Sequence, residues 1–206
     1  MGARLNPRWD AAFARRRVER LGLDLRQRAG RLSGGERAQL ALTLGLAKRP
    51  ELRILDEPVA AVDPLARREF LQDLMEVVAE HGLSVLLSSH LVTDLERICD
   101  HLVVLVGSRL RLAGDVENLL ASHHRLVGPR CTTRLPAAQQ VVAESHTDRQ
   151  TTLIVRTDEP IIDPAWTVSG LTLEDLVLAH LSHPPEPRAC TGPAPASSRP
   201  SLTLVR

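Results

Sequence analysis

Leu32-Ser33-Gly34-Gly35-Glu36 and, further along, Ile54-Leu55-Asp56-Glu57-Pro58 are the two stretches whose reading decides the fold. In the first, Ser33 is predicted to cap a helix, and Glu36 three residues later completes a capping box. Two glycines let the backbone approach a ligand closely with bare N–H groups. The helix beyond adds its positive end, so hydroxyl, amides and dipole together suit an anion. Taken alone, Ser-Gly-Gly-Glu is a plain capped helix after a glycine turn; the second stretch changes that reading. There an apolar strand ends in adjacent carboxylates, Asp56 and Glu57, which point to opposite sides of the strand. One of them suits Mg²⁺, held through water, and the other suits orienting or deprotonating an attacking water. His90 follows the next strand, where an open α/β sheet meets its ligands, and its imidazole can donate to a phosphate.

The remaining chain bounds what this chemistry can belong to. The 206 residues are enough for one domain with a real core and a small appendage. Apolar content is 43% and the net charge is +1, which gives no reason to invoke nucleic acid or anionic lipid. No apolar run approaches the length of a membrane span, and Arg4, Arg8 and Asp10 exclude a secretory leader. Cys99, Cys131 and Cys190 have no Cys-x-x-Cys spacing and fit reduced thiols in a cytosol. Cys99-x-His101 with His123-His124 and Cys131 matches no common zinc spacing.

The predicted elements alternate. Asn6-Pro7 reads as the start of a first helix carrying Trp9, Phe13, Val18 and Leu21, with Gly22 as its stop and Arg15 to Arg17 as a solvated face. The helix from Ser33 runs to Pro50, and a strand covers 52–56. Asp63-Pro64 starts a long helix that buries Leu65, Phe70, Leu71, Leu74, Val77 and Val78 and ends at Gly82. A strand over 83–88, a short helix over 91–99, a hairpin about Gly107-Ser108 and a helix over 115–121 follow. Strand–helix–strand order argues a parallel α/β layer, but two such strands leave its sheet incompletely covered. Beyond residue 121 a strand over 151–156, Trp166 as a packed residue and a helix capped by Thr172 form a smaller unit. Pro, Ser, Ala and Gly then dominate, which reads as a disordered tail.

The ordered set Leu32–Glu36, Ile54–Pro58, Ala61-Val62-Asp63 and His90 resembles the signature, Walker B, D-loop and H-switch of the ATP-binding cassette (ABC) ATPases. The resemblance covers residues 1 to about 121. It implies an α/β fold: a partial P-loop NTPase-type ABC ATPase domain over 1–121, made of the helical subdomain and the signature-to-H-switch half of the core sheet. A small α+β extension (122–181) and a disordered tail (182–206) complete the expected organisation. The implied ligands are ATP and Mg²⁺. Ser33, Gly34, Gly35 and Glu36 would form the face toward nucleotide, with Ser33 and Gly35 on the γ-phosphate of an ATP held by a partner subunit. Asp56 would support Mg²⁺, Glu57 would be the catalytic base, Asp63 would communicate across the dimer, and His90 would bind the γ-phosphate. The implied partners are a second ABC ATPase subunit, arranged head to tail, and a membrane permease that keeps the chain at the inner face of the plasma membrane.

The sequence departs from that family in what it lacks. The phosphate loop requires G-x-x-x-x-G-K-[ST], and the sole lysine, Lys48, follows Ala47 and precedes Arg49-Pro50. The glutamine-bearing loop and the adenine-stacking aromatic are also not evident. Arg53 interrupts a strand that is otherwise apolar, a costly residue at a buried position. These absences give the expectation of an ATP-binding transporter subunit shortened at its N-terminus and inactive alone, the shortening being either real or a start site set too late. Met1 falls just before a helix of the helical subdomain, an unusual place for a domain to start. The alternatives are a non-catalytic or remnant subunit that lends only its signature face to a complete partner, and a soluble ABC ATPase of DNA repair or translation.

Overall fold

The computed structural model describes residues 6–130, 139–182 and 201–205. The described residues divide into two compact units, one running up to Ser89 and including Val205, the other from His90 to Leu204. The hairpin about Gly107-Ser108 and the helix after it, grouped with residues 1–121 on sequence, thus pack with the later residues.

The first unit contains α1 (Ala11–Arg20), α2 (Gly34–Leu46), β1 (Leu52–Asp56), α3 (Pro64–His81) and β2 (Ser84–Ser89). α1 begins later than Asn6-Pro7 suggests. The Trp9 N–H closes a turn on the Asn6 carbonyl, and Asp10 is the true N-cap, accepting from the Phe13 N–H at 2.8 Å. Gly22 ends the helix region with φ of 64°, a left-handed conformation that glycine takes without cost. α3 starts at its predicted cap, with the Asp63 side chain accepting from the Ala66 N–H, and stops at left-handed Gly82. Phe70, Leu71, Leu74, Val77 and Val78 are buried as expected, but Leu65 is 67% exposed. It sits in the first turn of α3, outside the reach of that inward stripe.

Arg15 to Arg17 are not one solvated face. Arg17 is only 5% exposed. It lies one turn after Phe13, on the side of α1 turned toward α2 and α3. Its Nε donates to Thr43 Oγ1, and its Nη2 donates to Gln39 Oε1 and Asp73 Oδ2. Arg20 reaches the other Asp73 oxygen at 2.7 Å. One guanidinium therefore ties three helices through satisfied, charge-assisted bonds.

β1 and β2 pair in parallel, with Leu52 opposite Ser84 and Asp56 opposite Ser88. Leu55 is buried, whereas Leu52 and Ile54 are 52% and 64% exposed. The incomplete cover expected for this layer is visible on that face. Arg53 points the other way, against α2: a Cβ at Gly45 would lie 2.3 Å from the Arg53 Cζ, while the Arg53 Nε is buried without a hydrogen-bond partner. A glycine on α2 thus makes room for the guanidinium.

In the second unit, α4 is the single turn Val92–Leu95, shorter than the helix read over 91–99. β3 (His101–Val106) and β4 (Arg109–Asp115) form the predicted hairpin. Gly107 and Ser108 both have positive φ, 55° and 61°, as a type I′ turn requires. Asp115 caps α5 (Val116–Ala121). β5 (His123–Pro129), β6 (Gln140–His146), β7 (Gln150–Arg156) and β8 (Thr167–Ser169) make an antiparallel sheet in the order β6-β7-β5-β8. Leu126, Leu153, Val155 and Trp166 form its core, with Trp166 packed as expected. Thr172 caps α6 (Leu173–Ser182). Residues 183–200, most of the stretch read as a tail, lie outside the described residues, as do Cys131 and Cys190. Ser201–Val205 is β9, an alternating β-favouring run in an otherwise Pro- and Ser-rich stretch.

Arg17→Met is expected to destabilise the first unit by about 1–3 kcal/mol, because it leaves Gln39 Oε1 without its donor and removes one of the two guanidinium partners of Asp73, Arg20 remaining. Arg17→Met with Asp73→Leu should cost clearly less. Urea denaturation read by Trp9 fluorescence in a Trp166→Phe background checks this.

His123 is buried, and its Nδ1 bonds the Leu119 carbonyl at 2.7 Å. Its ring meets His180 edge-on at 5.7 Å. Burial, then His123, Arg111 and Arg156, depress His180 to about 4. A histidine depressed in the folded state leaves stability intact above its unfolded value, near 6.5, and loses it as pH falls toward the folded one. The second unit should therefore lose stability between pH 6.5 and 4, on the order of 2–3 kcal/mol. Trp166 fluorescence in a Trp9→Phe background should show this slope, flattened by His180→Leu.

Candidate functional site

Two clusters within the first unit hold the sequence-predicted residues other than His90, which is the first residue of the second unit. The first is the N-terminus of α2. The Ser33 side chain accepts from the Glu36 N–H, and the Glu36 carboxylate accepts from the Ser33 N–H at 2.7 Å. The capping box is complete, and these bonds hold the Glu36 carboxyl below its usual range. It satisfies the amides at both ends of the Ser33–Glu36 turn. Helix geometry leaves the Gly34 and Gly35 N–H groups without intrahelical acceptors, at the positive end of a 13-residue helix.

The glycines also set where this end sits. A Cβ on Gly34 would lie 3.0 Å from the Ala61 carbonyl oxygen, and one on Gly35 would lie 2.8 Å from the Ala66 Cβ. The helix start is therefore pressed against the turn holding Ala61, Val62 and Asp63. Val59 and Val62 are buried and anchor that turn. Asp63 is itself exposed, with its carboxylate engaged as the cap of α3.

The second cluster is the C-terminal end of β1. Asp56 is exposed and shares the open strand face with Leu52 and Ile54. Glu57 is half-buried, with φ of 45°, the left-handed region that non-glycine residues rarely occupy. Backbone strain of this kind gathers at functional sites and persists where the surroundings enforce it. One group that holds this backbone is Ser88, passed over in the sequence reading. Its Oγ accepts from the Glu57 N–H at 2.9 Å and donates to Asp56 Oδ1 at 2.6 Å. The parallel register puts Ser88 opposite Asp56. The one available signal was Ser88's position two residues before His90, at a strand end. His90 is exposed and follows β2 directly in the chain.

An exposed carboxylate held by a hydroxyl is the hard oxygen donor that Mg²⁺ takes, directly or through water. Unpaired amides at a helix N-terminus are donors for phosphate oxygens. These two clusters match the chemistry of a magnesium–nucleoside triphosphate.

Sequence relatives agree. The ABC transporter ATP-binding protein YtrB of Bacillus subtilis is 34% identical over 116 residues, which are 56% of this chain and 40% of that protein. The molybdenum import ATP-binding protein ModC of Rhodopseudomonas palustris is 35% identical over 144 residues, 68% of this chain and 37% of its own length. The human phospholipid-transporting ATPase ABCA7 is 40% identical over 114 residues, 54% of this chain and 5% of that protein. The matched part of this chain is similar to part of the ATP-binding proteins of ABC transporters.

The chain spans well under two thirds of each of these relatives. No protein-family model matches it. A solved ATP-binding subunit of an ABC transporter overlays on 53% of the chain and 48% of its own, at 28% identity and a TM-score of 0.46. No helix among the described residues is long and apolar enough to cross a membrane.

Proposed function

We propose that these residues serve as the signature-to-switch half of the ATP-binding subunit of an ABC transporter, energising a separate membrane permease at the inner face of the plasma membrane. The observation that carries the reading is the contact of Gly34 and Gly35 with Ala61 and Ala66. It seats the amide-bearing helix end against the turn that follows the carboxylates, which supports reading the two together.

On this reading the nucleotide is sandwiched. A second ATPase subunit, head to tail, holds ATP on its own phosphate loop. This chain supplies Ser33 and the Gly34 and Gly35 amides to the γ-phosphate, with Glu36 fixing the cap. Asp56 would support Mg²⁺, whose charge would offset that of phosphate oxygens. Glu57 takes the proton of the attacking water as general base. His90 donates to the γ-phosphate, and Asp63 joins the two halves of the dimer.

Magnitudes decide what the chain does by itself. Its 206 residues contain no G-x-x-x-x-G-K-[ST]. Micromolar binding requires about −8 kcal/mol. Hydrogen bonds to a charged group contribute about 1.5–3 kcal/mol each, and association costs at least about 4 kcal/mol. Two or three such bonds leave an affinity of about millimolar or weaker. The same arithmetic favours, as a second reading, a subunit that only lends its signature face to a complete partner.

Isothermal titration of the 206-residue chain with Mg-ATP should give no binding tighter than about 1 mM. A micromolar dissociation constant would show that a phosphate-binding element exists here that neither reading contains.

A further inference from the structure

We infer that Ser88 is a positioning residue for the metal edge of this site: its hydroxyl ties the Asp56 carboxylate to the backbone of Glu57. The inference rests on the reading of Asp56 as the Mg²⁺-supporting group and adds a residue to it.

The argument starts from register. In the parallel ladder Asp56 lies opposite Ser88, so the two side chains leave the sheet on the same face. A serine hydroxyl has one proton and two lone pairs. The proton goes to Asp56 Oδ1 at 2.6 Å, the short distance of a charge-assisted bond. A lone pair takes the Glu57 N–H at 2.9 Å. Both bonds are therefore satisfied at once by a single group with no proton left over.

Their geometry has a consequence. Directly after Asp56 the chain turns at Glu57 with φ of 45°. An L-residue there is strained by roughly 1–2 kcal/mol. The Ala60 N–H closes a turn on the Glu57 carbonyl at 3.2 Å, which holds the far side of that residue. Ser88 holds the near side. Without it, the Asp56 carboxylate loses its orienting donor and the Glu57 amide loses its acceptor, so the two acids no longer keep fixed directions. A plain strand-end serine that only satisfied itself would not need to join two neighbours that carry different chemistry.

The Ser88→Thr and Ser88→Val pair tests this, because the two side chains have the same shape and only one has a hydroxyl. Both suit a strand, and Ser88→Ala provides a third form. The probe is Mn²⁺ alone, added to the ¹⁵N-labelled 206-residue chain, and the readout is paramagnetic broadening of individual amide signals. The unaltered chain and Ser88→Thr should broaden first at Asp56 and Glu57, at similar Mn²⁺ concentrations. Ser88→Val and Ser88→Ala should need about tenfold more Mn²⁺, as loss of a ligand's supporting partner does elsewhere. They should also speed solvent exchange of the Glu57 amide, with the rest of the amide spectrum retained. Equal broadening in the Thr and Val variants would overturn the role of Ser88 and leave Asp56 as a metal group. No localised broadening at Asp56 and Glu57 in the unaltered chain would overturn the metal reading and this inference together.

Discussion

Two missing side chains govern the candidate site. Gly34 and Gly35 let the start of α2 close onto Ala61 and Ala66, at a distance that a Cβ on Gly35 would push apart and one on Gly34 would crowd. The contact does two things. It fixes the bare amides of the helix end in space, and it couples them to the turn that follows the carboxylates. The buried Arg17 supports the same arrangement from behind, because its guanidinium holds α1 to α2 and to α3. α3 is the helix that the Asp63 turn begins. A chain of packed, hydrogen-bonded parts thus runs from α1 to both ends of the turn.

The strand pair adds the other half of the site. Parallel register sets Ser88 beside Asp56, and the hydroxyl couples the last residue of β1 to the strained residue after it. On the face that ends in Asp56, Leu52 and Ile54 are open to solvent. Arg53 lies on the opposite face, its guanidinium against Gly45 and its Nε buried without a partner. The helix-facing side of β1 is therefore packed against α2, while the carboxylate-bearing side is open.

Much of this was legible in the sequence, and the failures have physical causes. The capping box at Ser33, the Asp63 cap, the Gly82 stop and the Gly107-Ser108 turn are local chemistry, fixed by residues a few positions apart, and each is found where the pattern puts it. Asn6-Pro7 misled because Asp10 is an equally good cap placed closer to the helix. Arg17 misled because burial of an arginine depends on Gln39, Thr43 and Asp73, which lie on other helices. Leu65 misled because helical spacing does not say where an inward stripe begins. The strands on either side of β7 went unread, since His123–Pro129 and Gln140–His146 show little alternation. In the site, the two motifs and their residue types were visible early. Ser88 was not, because its role arises from cross-strand register, which no local pattern encodes.

The central claim is that the Gly34–Gly35 amides and the Asp56–Asp63 segment form one wall of a nucleotide sandwich completed by another phosphate loop. Residue-resolved amide hydrogen exchange tests it most directly. The chain would be measured alone, with Mg-ATP, and with Mg-ATP plus an ABC subunit that carries an intact phosphate loop and a neutralised catalytic carboxylate. The account predicts slowed exchange at Gly34, Gly35 and Asp56–Asp63 only when nucleotide and subunit are both present. Slowed exchange with nucleotide alone, or unchanged exchange at these amides with both, would contradict it.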